Sequence, residues 1–144
     1  MDNEIRLKIV GVHQSEDGDE VVENDTKAQY FFRNGAHYFI YEEQGENYFG
    51  CTKTRVKYRA GVLEIVRQGT EAGGFVFESG RTHHTMYPTP AGIMEFEVET
   101  EKIHFGEYED RICISVDYRM KMDEMYEKKC RTEITAYKKP MDQR

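Results

Sequence analysis

The sequence predicts an all-β protein, an antiparallel up-and-down closed β-barrel of about eight to ten strands. Three observations predict it. Apolar and polar residues alternate along most of the chain, as at Ile5, Leu7 and Ile9, at Met94, Phe96 and Val98, and at Ile112, Ile114, Val116 and Tyr118. That period of two belongs to a half-buried strand. Short turn signatures separate the runs, and no sustained helical stripe competes with them. Strands that follow one another as hairpins must protect their edges, and a closed barrel does so.

The first run, Ile5 to Ile9, leads into an acidic stretch with Glu16, Asp17, Asp19, Glu20, Glu23 and Asp25, read as a solvated loop or strand end. Next comes "FFRNGAHYF", whose Asn34-Gly35 is the strongest short hairpin signal because both residues tolerate the positive φ of a type I′ turn. A two-residue loop pairs Phe32 with His37 and Tyr30 with Phe39. One face then carries Ala28, Tyr30, Phe32, His37, Phe39 and Tyr41, and the other Phe31, Tyr38 and Ile40, so this hairpin is apolar on both sides. A second turn at Ala60-Gly61 pairs Tyr58 with Leu63 and Val56 with Ile65, with the phases of the two strands in agreement. The same phase points Arg67 inward beside Leu63 and Ile65, a costly place for a guanidinium without a partner.

Ser79-Gly80 reads as a hairpin turn between "GFVFE" and "RTHHTMY". With those two residues as the loop, Phe77 faces Thr82 and Phe75 faces His84, which makes His84 the inward histidine and His83 the outward one. Unbroken alternation from Phe75 reverses this; the turn is preferred because glycine supplies the conformation it needs. "YPTPAG" is a turn or sheet edge, since proline cannot donate to a ladder. In the last hairpin Ile112, Ile114 and Val116 must share a face with Cys130, Ile134 and Ala136. A three-residue loop at 122–124 satisfies this and sets Val116 opposite Cys130; a bulge would serve equally. Either way Cys113 points away from Cys130.

A chain of 144 residues fits one domain with a single core. Acidic residues outnumber basic ones by 27 to 20, for a formal charge of −7. That balance disfavours nucleic acid and membrane surfaces as partners unless a local basic patch exists. The basic residues are spread along the chain except Lys128, Lys129 and Arg131, which read as a solvated strand face. The N-terminal residues lack the pattern of a signal peptide, and no run approaches the roughly 20 apolar residues of a membrane-spanning helix. Cys51, Cys113 and Cys130 are odd in number and share no CxxC spacing, so free thiols in a cytoplasmic protein are expected.

Adjacent strand residues point to opposite faces, so His83 and His84 cannot share a metal without a bulge. His13, His37 and His104 stand in separate strands without ligand spacing, and neither metal nor cofactor is expected. The candidate ligand-binding residues are Arg67, His84, His37, Tyr30 and Tyr41: a histidine acts as acid or base near neutral pH, and an arginine holds a carboxylate or phosphate. No GxSxG elbow, P-loop or GxGxxG fingerprint assigns a catalytic residue.

A set of short motifs then points to a family. "YFIYEE" at 38–43, "TKT" at 52–54, "RQG" at 67–69, "FESG" at 77–80, "YPTPAG" at 87–92 and Thr100 occur in an order and spacing that resemble the YwiB-like family of small bacterial proteins. The resemblance runs from about residue 4 to 138 and implies a calycin-like (lipocalin-like) barrel in a cytoplasmic protein. It transfers no catalytic residue. The chain departs from secreted lipocalins, whose Gly-x-Trp motif cannot exist in a sequence without Trp.

Three functions follow, in this order. The first is non-enzymatic binding of a small anionic or amphipathic ligand in the barrel interior. The second is an interaction module or homodimer using the aromatic hairpin or a sheet edge. The third is an enzyme using His84 in the cavity.

Overall fold

The alternation becomes ten antiparallel strands in the computed structural model, which describes residues 3–15, 18–44, 51–68, 73–89, 92–122 and 126–138. They are β1 (Glu4–Ser15), β2 (Gly18–Arg33), β3 (Ala36–Gln44), β4 (Cys51–Arg59), β5 (Val62–Gln68), β6 (Gly73–Glu78), β7 (Thr82–Thr89), β8 (Gly92–Glu107), β9 (Arg111–Met122) and β10 (Tyr126–Tyr137). Along the sheet the order is β6-β5-β4-β3-β2-β1-β10-β9-β8-β7. Every pair of consecutive strands except β6 and β7 is therefore hydrogen-bonded, and the first strand joins the last, Leu7 opposite Ala136 and Ile9 opposite Ile134. The barrel is nearly closed. Its one break falls between β6 and β7, which follow each other in sequence yet share no ladder among the described residues.

Turn geometry explains where the break lies. Asn34 and Gly35 have φ of 55° and 78°, and Ala60 and Gly61 have 50° and 85°. Positive values at both central residues define the type I′ turn, whose twist matches that of paired strands. The expected registers follow: Phe32 faces His37, Tyr30 faces Phe39, Tyr58 faces Leu63 and Val56 faces Ile65. At Ser79-Gly80 only the glycine is positive, at 76°, and the Arg81 amide donates to the Glu78 carbonyl at 3.0 Å. That is the pattern of a type II turn, which splays the strands it joins.

β7 pairs instead with β8, and hydroxyls bridge the gap. The Thr85 hydroxyl donates to the Gly74 carbonyl at 2.6 Å, and the Glu78 amide donates to Thr100 Oγ1 at 3.3 Å. The backbone of Thr100 also accepts from the Gly80 amide at 2.9 Å and donates to the Arg81 carbonyl at 3.0 Å. β8 bulges between Thr100 and Lys102, so its inward residues change from Phe96, Val98 and Thr100 to Ile103 and Phe105.

The last hairpin keeps the expected phase and changes its register. Val116 lies opposite Thr132, Tyr118 opposite Cys130, and Met122 opposite Tyr126. The connection is therefore 123–125, one residue later than the sequence suggested, and lies outside the described residues. Alternation fixes the face of a strand; the loop start fixes its register, and a step of one residue in the loop slides the pairing by two.

The core is built from inward positions of nearly every strand. Leu7, Phe39, Val56, Leu63, Val98, Ile112, Ile114, Val116 and Ile134 are all almost fully buried. Completely burying an aliphatic or aromatic side chain of this size stabilises the fold by roughly 1.5–3 kcal/mol. The outer face carries ion pairs such as Arg6–Asp25 at 2.9 Å, Arg119–Glu101 at 3.0 Å and Arg131–Asp117 at 3.0 Å. Each is solvent-exposed and contributes little singly. Among the described residues no helix is long and apolar enough to cross a membrane.

Candidate functional site: the two ends of the barrel

The described turns at 34–35, 60–61, 79–80 and 108–110 stand at one end of the barrel, together with residues 3 and 138. An aromatic cluster plugs the interior there. Tyr58 of β4 stacks on Phe105 of β8 with ring centroids 4.3 Å apart and planes 4° off parallel. His37 packs against Phe105 at 5.2 Å and Phe32 at 4.8 Å. Such ring contacts add stability beyond the area they bury.

His37 and Tyr30, two of the candidate ligand residues, belong to this plug. Their Nδ1 and hydroxyl share a hydrogen bond at 2.9 Å. Burial holds the His37 imidazole below its ordinary value, against the charge of Glu107, with Lys138 acting in the same direction as burial. Burial also pushes the Tyr30 phenol up, helped by Glu107. A neutral imidazole bonded to a protonated phenol and enclosed by rings is a packing element that satisfies its own polar atoms.

Tyr41 and Arg67 lie towards the other end, whose connections at 16–17, 45–50, 69–72, 90–91 and 123–125 are outside the described residues. Thr54 is the cross-strand neighbour of both, facing Tyr41 on β3 and Arg67 on β5. Tyr41 and Thr54 are buried, at 7% and 1% exposure. The Arg67 backbone has the inward register, and its opposite on β6 is Gly73; the Arg67 side chain lies outside the described residues. The Thr54 hydroxyl is buried with no hydrogen-bond partner among the described residues.

The histidine pair is the reverse of the sequence expectation. His83 faces Val98 and Thr85 faces Phe96, both buried residues, so His83 takes the inward side and His84 the outward. His84 is exposed, with Nδ1 3.6 Å from Glu95 Oε2. The cause is the type II turn: without a β6–β7 ladder nothing resets the phase, and alternation runs on unbroken from Phe75. His83 Nδ1 is buried and unpaired. The five candidates thus fall in three places, with His37 and Tyr30 in the plug, Tyr41 and Arg67 near the other end, and His84 on the outer surface.

One polar cluster escaped the sequence altogether. The Cys130 thiol lies 3.3 Å from His13 Nδ1, and the Tyr118 hydroxyl lies 3.2 Å from Thr132 Oγ1. The thiol also hydrogen-bonds Tyr118. Burial pushes Tyr118 up to about 12 and raises Cys130 despite Lys128. His13 is lowered, chiefly by burial and then by Lys128. A thiol held protonated is a poor nucleophile, so this group is a buried hydrogen-bonded network. Pairing across the β1–β10 closure brings His13 and Cys130 together, and no local spacing could reveal it. Among the described residues no cluster of three metal-ligating side chains occurs.

The model of a family described as a domain of unknown function, DUF1934, matches residues 7–134. The chain belongs to the DUF1934 family. It is similar to the uncharacterised β-barrel protein YwiB of Bacillus subtilis (strain 168), 27% identical over 116 residues, which cover 81% of this chain and 80% of that protein. The crystal structure of the ywiB protein from Bacillus subtilis matches with a TM-score of 0.83 at 24% identity, over 96% of this chain and 93% of that one. The resemblance carried by the short motifs is thereby borne out, as is the all-β barrel. For this DUF1934 member the relatives supply a fold and no activity.

Proposed function

We propose that the protein is a non-enzymatic carrier or sensor, binding a small anionic or amphipathic molecule inside the barrel at the end opposite the aromatic plug. The observation that carries this reading is the Thr54 hydroxyl, enclosed at 1% exposure without a hydrogen-bond partner among the described residues. A buried polar atom left unpaired costs about 1–3 kcal/mol, which a ligand acceptor or donor recovers. Arg67 has the inward backbone register beside Thr54. Tyr41 on the other side of Thr54 adds an apolar wall with a polar tip. An arginine, a threonine hydroxyl and a phenol at neighbouring inward positions suit a molecule with one carboxylate or phosphate and a hydrocarbon body.

The exposed, outward position of His84 beside Glu95 favours this reading over an acid–base role for His84 in the interior. The ion-paired outer face differs from the apolar belt of a membrane barrel, and free thiols at Cys113 and Cys130 suit a reducing compartment. Native mass spectrometry of gently purified protein tests the reading. A discrete extra mass, retained by the parent and lost from Arg67→Ala and Thr54→Val proteins of unchanged fold, is the expected result. A mass equal to the bare chain, together with no thermal shift across a panel of fatty acids, organic acids and phosphate esters, would overturn it.

A further inference from the structure

The overall acidity of the chain conceals a local exception. Along β4 the outward positions are Lys53, Arg55, Lys57 and Arg59, while Thr54, Val56 and Tyr58 point inward. Four successive outward residues are cationic, spaced two residues or about 6.7 Å apart by strand geometry. Arg33 extends the positive face onto β2. Over residues 27–33, 36–42 and 53–59 of the three adjacent strands, Glu42 is the one outward carboxylate.

Beside this row lies an aromatic platform. Phe31 of β2 and Tyr38 of β3 are direct cross-strand partners, and Tyr38 is in turn the partner of Lys57. With Ile40 and Arg33 they line a surface groove of about 370 Å³. Phe31 is 37% exposed, and the Lys57 ammonium sits 5.7 Å from the Tyr38 ring centroid. The Arg55 Nε is buried without an acceptor among the described residues, and its terminal nitrogen reaches Glu64 only at 3.8 Å.

We propose that this outer face of β2–β3–β4 binds single-stranded nucleic acid. Each part of the surface has a role in that chemistry. Two adjacent rings on a sheet face, Phe31 exposed and Tyr38 half-buried, give unpaired bases a place to stack, whereas a duplex hides its base faces. The β4 row tracks a chain of phosphates running along the strand, and each neutralised phosphate releases bound counterions. The net charge of −7 does not cancel this, because charges farther away than about 8–10 Å are largely screened at physiological salt, and the carboxylates beside the row, Glu42 opposite Lys53 and Glu64 opposite Lys57, are outnumbered by its four cations. An acidic peptide would meet the cations but leave the rings without partners, and an anionic membrane would need a wider apolar surface than this groove offers.

The test is fluorescence anisotropy of a labelled oligouridine of about 12 nucleotides, titrated with the full chain at low salt. Binding should weaken as salt rises, with a log–log slope near −0.7 per phosphate contacted. Lys53→Glu with Lys57→Glu should weaken it at least tenfold. Tyr38→Ala should weaken it by a similar factor, and Tyr38→Phe, which keeps the stacking face, should bind like the parent. Circular dichroism and thermal melting confirm the fold of each variant. No binding by the parent, equal binding by the charge-reversed variant, preference for duplex of the same length, or binding to phosphatidylserine vesicles but not to the oligonucleotide would each overturn the proposal.

Discussion

Two turns of the barrel look alike in sequence and behave oppositely. Asn34-Gly35 and Ser79-Gly80 both place a polar residue before glycine between strands of alternating pattern. At the first, both φ values are positive and β2 pairs with β3; at the second only glycine is positive and β6 parts from β7. Asparagine reaches the left-handed region far more readily than serine. The φ of the residue ahead of glycine therefore separates a closed hairpin from a seam, and Ala60 reaches the positive value as Asn34 does. Where the ladder is missing, threonine hydroxyls replace part of its bonding.

The most damaging way to probe this contrast is Asn34→Pro. Proline fixes φ near −65°, against the 55° found at this position, so the hairpin must refold around a different turn. A loss on the order of 3 kcal/mol is expected in urea unfolding. Next comes the seam: Thr100→Val leaves the Glu78 amide without its side-chain acceptor and should cost about 1–3 kcal/mol. Hydrogen exchange should accelerate at Glu78 before it does in β4 or β5; uniform acceleration would show that the seam is not a separate weak point.

Acidity acts on the hairpin side. The His37 value is held below the usual 6.5 by burial, so proton uptake favours the unfolded chain. Stability is full above that usual value and is lost as pH falls below it through the folded-state value. A His37→Phe protein should show a smaller drop in Tm between about pH 7.5 and 5. The drop should not vanish, because His13 is lowered in the same way. An identical drop in both proteins would remove His37 from the account. The smallest effect is expected from Ser79→Pro. A type II turn accepts proline at its first central position, which offsets part of the loss of Ser79 Oγ as acceptor of the exposed Ile103 amide, so stability should fall by no more than about 1 kcal/mol. A loss as large as that of Asn34→Pro would break the comparison between the two turns.

What could be read in the sequence follows the same lines. The hairpins at Asn34-Gly35 and Ala60-Gly61 were legible to the residue, because the turn dipeptide fixes both loop length and register. The phase of β9 against β10 was legible from Ile112, Ile114 and Val116, but their register was not, because a three-residue loop does not reveal its own start. The histidines came out inverted because a type I′ or II′ loop needs positive φ at its first central residue; Ala60 takes it and Ser79 does not, and residue type alone does not separate the two. The basic row of β4 was also visible, as alternate cations in "KTRVKYR", once the strand's inward phase was known. Cys130 and His13 stand 117 positions apart, and only the closure of the barrel makes them neighbours.

That closure also orders events in time. β2 to β6 can each pair with the preceding strand as soon as it leaves the ribosome, since every one of those contacts is local. One side of β1 has no partner until β10 has been made, when Leu7 at last meets Ala136. Joining residues so far apart carries the largest loop-closure cost in the molecule and slows folding. Until β10 has been made the nascent chain is an open sheet with a bare edge on β1, the form most prone to pair with a neighbouring chain. β10 is the strand that ends this exposure.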